Sequence, residues 1–286
     1  SLSITINPIA ITINNAQGKT ITKQYDGYAN VLDSFVKQNV NASEGYYTSS
    51  GILPGDIITV DSAVYENEKI GNAKVITATL SGDNNNYTIT QNIVGNITNV
   101  ALIFNKNLET ISWVDDGIDE FGNADALNIT YTGDLDAVIN TILSVPSRAT
   151  RVGYTQTGWT YNDVNMSSVD FDKEAFLQDA VDNKLTGITI DAVWEINQYT
   201  VQIDQGDNTV VSHDSVSFPK TVNYWDTISD IKVNANEGYT FENVTLNQNN
   251  ATLSMTGQTT NKGTFTLTHI TGDLTATIVS EDITVR

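Results

Sequence analysis

The sequence predicts a mostly β chain of the α+β class, and three observations carry that prediction. Apolar and polar residues alternate with period two in many short runs, as they do on strands with one buried face. Clusters of Asn, Asp and Gly separate the runs and supply turns. Only two stretches show the three-to-four spacing of an amphipathic helix.

Taken in order, Ile4, Ile6, Ile9, Ile11 and Ile13 interleave with Thr5, Asn7, Thr12 and Asn14, a strand interrupted at Pro8. Val31, Leu32, Phe35 and Val36 fit either one helical turn or a bent strand. Further strands are expected at 57–60, 75–80, 87–89, 100–104, 127–131, 188–194, 199–203, 264–267 and 274–279. Between them lie turn clusters such as Ser81-Gly82-Asp83-Asn84-Asn85-Asn86 and Gln205-Gly206-Asp207-Asn208. Asp134 is a candidate N-cap, and Leu135, Val138, Ile139 and Ile142 gather on one side of a short helix ending before Pro146. Between Asp172 and Lys184, Phe176 with Ala180, and Leu177 with Val181 and Leu185, mark a second helix. Gly272-Asp273 reads as a hairpin turn joining the last two strands.

The 286 residues carry 14 basic and 34 acidic side chains, a net charge of −20, and no cysteine. That charge repels phosphate backbones and anionic head groups, so nucleic acid and acidic membrane surfaces are poor partner candidates, and no nucleic acid is expected. Disulfides, zinc–cysteine sites and thiol nucleophiles are impossible. No run reaches the roughly 18 apolar residues a spanning helix needs, so direct membrane insertion is not expected. Nothing at Ser1 looks like an export leader; any leader or anchor is expected outside the given chain. Length alone suggests two domains, yet the pattern along the chain argues for three small modules, 1–107, 108–196 and 197–286, and the absence of flexible spacers for stiff junctions between them.

Specific motifs accompany this pattern. The opening strand, Tyr25-Asp26-Gly27, Leu53-Pro54-Gly55-Asp56, Val64-Tyr65, Gly71, Lys74-Val75, Leu80-Ser81-Gly82 and Asn86-Tyr87-Thr88-Ile89 follow one another in order. Together they resemble the YDG repeats of large bacterial surface proteins, over most of residues 4–96. Gly27, Gly55 and Gly82 fall where turns need positive φ. Residues 108–196, with Pro146-Ser147-Arg148, Arg151-Val152-Gly153-Tyr154, Thr157-Gly158-Trp159 and the closing strand to Trp194, resemble an internalin-type B-repeat of the Listeria–Bacteroides repeat group. That resemblance implies a β-grasp-like module with a packing helix after Asp134 and with Trp159 and Trp194 in its core. The helix at 172–184 is then an insertion. The last segment, with Glu237-Gly238-Tyr239-Thr240-Phe241 and Gly272-Asp273-Leu274, is similar to less specific wall-protein β repeats.

A search for chemistry is largely negative. His213-Asp214-Ser215 holds the three triad residue types, but neighbours on a strand point to opposite faces and do not converge. No phosphate-binding glycine loop occurs. Asp115, Asp116, Asp119, Glu120 and Asp125 form the best calcium candidate, but they do not fit the EF-hand register and read more readily as a solvated acidic hairpin loop. Trp113, Trp225, Tyr46 and Tyr47 fit either core packing or an exposed platform that stacks sugar rings. Lys74 and Lys232 are the candidate lysines for an internal Lys–Asn cross-link, a reaction that needs a buried carboxylic acid beside the pair.

The combined expectation is an elongated rod of three modules without catalytic residues or a required cofactor, calcium aside. Its role is that of a stalk or adhesion segment, one monomeric stretch of a longer secreted or wall-attached bacterial surface protein. Its partners are a host or neighbouring-cell protein or glycan. The alternative is a carbohydrate-binding accessory region of an extracellular polysaccharide-processing enzyme.

Overall fold

The computed structural model describes residues 7–109, 126–145 and 151–283. Strand makes up 52% of it and helix 11%, so the class is mostly β with two α-helices. The chain divides into two compact units. Ser1–Lys106, Asp125–Ser144 and Tyr161–Ile190 form the first, and Asn107–Ala124, Val145–Thr160 and Asp191–Arg286 the second. Residues 108–196 therefore contribute to both.

The first unit begins with β1 (Ile9–Asn15), β2 (Ile21–Gln24), β3 (Gln38–Asn39), β4 (Tyr47–Thr48), β5 (Ile58–Tyr65), β6 (Gly71–Gly82) and β7 (Tyr87–Thr98). They form one sheet in the order β3-β5-β6-β7-β1-β4, with β2 also on β7. The 12 residues of β7 make it the spine. Its first half runs parallel to β1, from Ile9 opposite Tyr87 to Asn14 opposite Asn92. Its last four residues run parallel to β2, from Ile21 opposite Gly95 to Gln24 opposite Thr98. Alternation decides which side chains enter the core: Ile11 and Ile13, Ile76 and Ala78, Ile93 and Ile97 are buried,. The same alternation turns Lys23, two after Ile21, and Lys74, two before Ile76, toward the core. The stretch Val31–Val36 resolves as a 3₁₀ turn over Asp33–Phe35 flanked by extended residues.

Next come β8 (Val100–Asn107) and β9 (Leu127–Tyr131), paired antiparallel from Val100 opposite Tyr131 to Phe104 opposite Leu127. Helix α1 (Leu135–Leu143) starts where expected, with the Asp134 carboxylate accepting from the Ala137 N–H at 2.9 Å. After β10 (Tyr154–Tyr161) and β11 (Val164–Asn165), α2 (Lys173–Asp182) is capped the same way by Asp172 on Ala175. α2 drives Phe176, 1% exposed, between Phe104, Phe171 and Tyr161, with ring centroids 5.1–5.5 Å away, while Leu185, expected on the same face, lies beyond the helix end and is exposed. Lys173 pairs with Asp136 of α1 at 2.6 Å.

In the second unit, β10 pairs antiparallel with β12 (Ile188–Ile196), from Tyr154 opposite Ile196 to Thr160 opposite Asp191. Trp159 is fully buried and Trp194 nearly so, its indole N–H donating to the Leu108 carbonyl at 3.0 Å. Then follow β13 (Gln198–Asp204), β14 (Thr209–Ser212), β15 (Lys220–Asn223), β16 (Ile228–Ala235), β17 (Tyr239–Leu246), β18 (Thr252–Thr256), β19 (Lys262–Thr268) and β20 (Leu274–Asp282). They build two four-stranded sheets, β15-β13-β20-β17 and β14-β16-β19-β18. The sheets share one core of Val201, Ile231, Val233, Phe241, Phe265, Leu267 and Leu274 among others, a sandwich,.

This arrangement corrects the reading of Gly272-Asp273 as a hairpin turn. β19 pairs with β16 and β18, and β20 with β13 and β17, so the connection crosses from one sheet to the other. The fully buried Ile270 anchors it between the layers. A short turn between alternating runs looks the same in sequence whichever partner each strand finds.

Candidate functional site

The motif residues of the first unit organise turns. Gly27, Gly55 and Gly82 all have positive φ, at 84°, 100° and 85°. The Tyr87 hydroxyl donates to Asp56 at 2.7 Å and accepts from the Leu53 N–H at 2.8 Å, tying the Leu53-Pro54-Gly55-Asp56 turn to the start of β7. Asp83 accepts from the Ile57 N–H at 2.7 Å. In the Tyr25-Asp26-Gly27 turn, Asp26 accepts from Lys23 Nζ at 2.7 Å and from the Tyr28 N–H at 3.0 Å. The ammonium also donates to the Tyr28 carbonyl at 2.6 Å. The Lys23 side chain is 1% exposed, so this ion pair satisfies a charge that has left water,. Sequence reading passed over Lys23, although its place two residues beyond Ile21 and three before an aspartate was the available signal.

The four candidate stacking aromatics fare differently. Tyr47 is fully buried and its hydroxyl donates to the Phe35 carbonyl at 2.6 Å, so it belongs to the core and presents no face to a ligand. Burial pushes that hydroxyl up to about 12,. Tyr46 is half-buried, edge-on to Phe35 at 4.7 Å, with Lys19 Nζ 5.6 Å over its ring. Trp225 is half-buried at φ 70°, an unusual conformation for a bulky residue, and His269, at φ 54°, stacks on it at 4.4 Å,. The Tyr224 ring flanks the same indole at 5.5 Å. The indole face under His269 is closed to a sugar unless the imidazole swings aside. Trp113 and the acidic cluster Asp115, Asp116, Asp119, Glu120 and Asp125 lie outside the described residues. Among the described residues no group of three acidic or histidine side chains is placed to hold a metal ion.

His213-Asp214-Ser215 is resolved into separate contacts. His213 Nδ1 accepts from the Ser215 backbone N–H at 3.1 Å, and Nε2 meets the Ser229 carbonyl at 2.8 Å. Asp214 faces Lys232 at 2.8 Å, which holds the carboxyl below its usual range and raises the ammonium. Two open, mostly polar hollows of about 530–540 Å³ flank His213. No nucleophile and base meet in them in hydrogen-bond geometry.

Of the two cross-link candidates, Lys232 lies on the open surface. Lys74 is buried, with Nζ 2.5 Å from Asn67 Oδ1 and 3.8 Å from Glu66. The same Asn67 oxygen accepts from the Lys69 N–H at 3.1 Å, closing a turn in the β5–β6 loop, and Glu66 is half in water. The trio lacks the enclosed acid such a reaction needs; its work is to pin that loop.

Gly153 and Tyr224 form a close contact in the second unit. Gly153 has φ 77°, and a Cβ on it would lie 2.0 Å from the Tyr224 ring. Its carbonyl accepts from the Asn197 N–H at 2.8 Å, and the Asn197 carbonyl accepts from the Tyr224 N–H at 2.7 Å. Comparison with known proteins finds no matching family model and no matching curated protein.

Proposed function

We propose that this chain is a non-enzymatic stalk or adhesion segment of a secreted or cell-wall-attached bacterial surface protein, one that spaces and presents a binding surface. The observation that supports this reading is where the large rings go. Trp159, Trp194, Tyr47, Tyr65, Tyr87 and Tyr224 are all buried. Side chains of this kind contribute most of the burial available to small β cores, so their placement favours shape over an open reactive cleft. The contact of Gly153 with Tyr224 through Asn197 supports it further, because a backbone bridge two hydrogen bonds long leaves little freedom to bend. The net charge of −20 keeps neighbouring copies apart,. A binding surface of modest affinity, repeated along a longer parent chain, would gain by multivalency.

The test is to pull the whole chain between its ends. A stalk resists load, unfolds in discrete steps and refolds on relaxation between pulls. A chain that extends smoothly without resistance overturns the reading.

One observation favours the alternative of a carbohydrate-binding accessory region: the half-buried indole of Trp225 is held at φ 70°, and strained conformations concentrate at functional sites,. Binding on a glycan array, abolished by Trp225→Ala with thermal stability unchanged, would select that reading.

A further inference from the structure

The Tyr25-Asp26-Gly27 turn faces a second structural layer of its own unit. Tyr25 packs on Tyr131 of β9 with ring centroids 4.9 Å apart. Gln178 of α2 donates from Nε2 to the Asp26 carbonyl at 3.2 Å and to Asp182 Oδ1 at 2.9 Å, which fixes its amide. The amide oxygen then lies where Gly27 has no side chain: a Cβ built there would be 2.0 Å from Oε1. Positive φ alone would admit Asn or Asp at this turn. Any side chain here would push the Gln178 amide aside and break its bond to the Asp26 carbonyl, so the glycine of this tripeptide also makes room for what docks on it. Beside it, Ile70 of the β5–β6 loop lies near Gly133, in the turn ahead of α1: a Cβ built on that glycine would be 3.9 Å from the Ile70 Cβ.

Both loops are preset from within the seven-stranded sheet by a buried ammonium. Lys23 holds the turn through Asp26 and the Tyr28 carbonyl. Lys74 holds the β5–β6 loop through Asn67. A surface whose loops are fixed before contact loses less freedom on docking.

We propose that the Tyr25-Asp26-Gly27 turn and the 66–70 loop form a docking face whose partner is the β9–α2 layer of the same chain, recognised by its Tyr131 ring and Gln178 amide. The docked layers open together, so the seven-stranded sheet and α2 form one cooperative unit. This deepens the stalk reading by naming a load-bearing contact, yet it stands or falls separately, since two layers can be coupled in a protein that carries no load.

A double-mutant cycle on the full chain tests it, with the folded-to-unfolded ratio read from urea titrations. Gly27→Ala is expected to lower that ratio about tenfold more in the natural background than in the Gln178→Ala background, where only the backbone strain remains. An equal loss in both backgrounds overturns the proposal. Gln178 is only half-buried on α2, so Gln178→Ala keeps the helix core and allows a second measurement by native-state hydrogen exchange,. Amides of β7 and α2 in the unaltered chain are expected to open with one free energy, and Gln178→Ala to separate them. Independent opening in the unaltered chain overturns the coupling. A cycle that couples in a chain failing the pulling experiment would keep the docking face and remove the stalk.

Discussion

Lys23 and Asp26 show how one residue's surroundings set its value. An ammonium moved out of water costs several kcal/mol unless an opposite charge and hydrogen bonds replace its hydration. Asp26, at 29% side-chain exposure, provides the charge, and the Tyr28 carbonyl the second acceptor. The two halves of the pair are therefore not equivalent under mutation. Asp26→Ala leaves the ammonium buried without a counter-charge and is expected to destabilise the chain by about 3–5 kcal/mol. Lys23→Met replaces the buried stem with apolar volume and leaves only a partly hydrated carboxylate behind, so its loss should be below about 2 kcal/mol. Denaturant midpoints of the two variants decide the matter; equal losses would refute the asymmetry.

Helices in a chain so rich in strands hold by packing more than by propensity, since neither α1, 9 residues, nor α2, 10 residues, is long enough to be stable alone,. For α2 the contributions can be ranked. Asp172→Ala removes one capping bond to the Ala175 N–H and is expected to cost about 1 kcal/mol,. Phe176→Ala removes a ring set against Phe104, Phe171 and Tyr161 and should cost about 3–5 kcal/mol,. Thermal or urea unfolding of the two variants gives the ranking, and a cap variant as damaging as the core variant would contradict it. At the same scale, β10 and β12 carry the Trp-bearing motifs in a register that places Trp159 opposite Ala192 and Gln156 opposite Trp194. Large rings thus face small or flexible neighbours across the pair.

At the scale of the whole molecule, enclosed tyrosines mark one limit of stability. Burial raises the hydroxyls of Tyr25, Tyr47 and Tyr65 from 10.0 to about 12 each, with Tyr131 adding to the effect at Tyr25 and Asp26 at Tyr65. A group whose folded pKa lies above its unfolded one favours the folded state fully below the unfolded value. That contribution fades as pH rises through the folded value. Stability should accordingly fall between about pH 10 and pH 12, with tyrosinate absorbance and loss of structure rising together. Tyrosines that ionise near their ordinary value while the chain stays folded would show that these hydroxyls are not enclosed.

How much of this was legible beforehand follows from which forces act locally. Period-two alternation places β9 at Leu127–Tyr131, and the spacing after Asp134 and Asp172 places both helices, the first with its cap, because neighbouring residues alone dictate those patterns. Positive φ at Gly27 was readable as a turn requirement. Its second role, leaving room for the Gln178 amide, was not, because the two residues lie far apart in sequence. Strand partners were hidden for a related reason: alternation states which face of β19 and β20 is buried, while the sheet each joins depends on edges offered by distant strands,. Sequence by itself determined the class, the glycine turns of the first unit, the positions of both helices and the cap of the first. Only the tertiary structure decided that Tyr47 is core, that Trp225 lies under His269, and that two lysines point into the sheet's interior, because burial of a ring or a charge depends on what the rest of the chain brings against it.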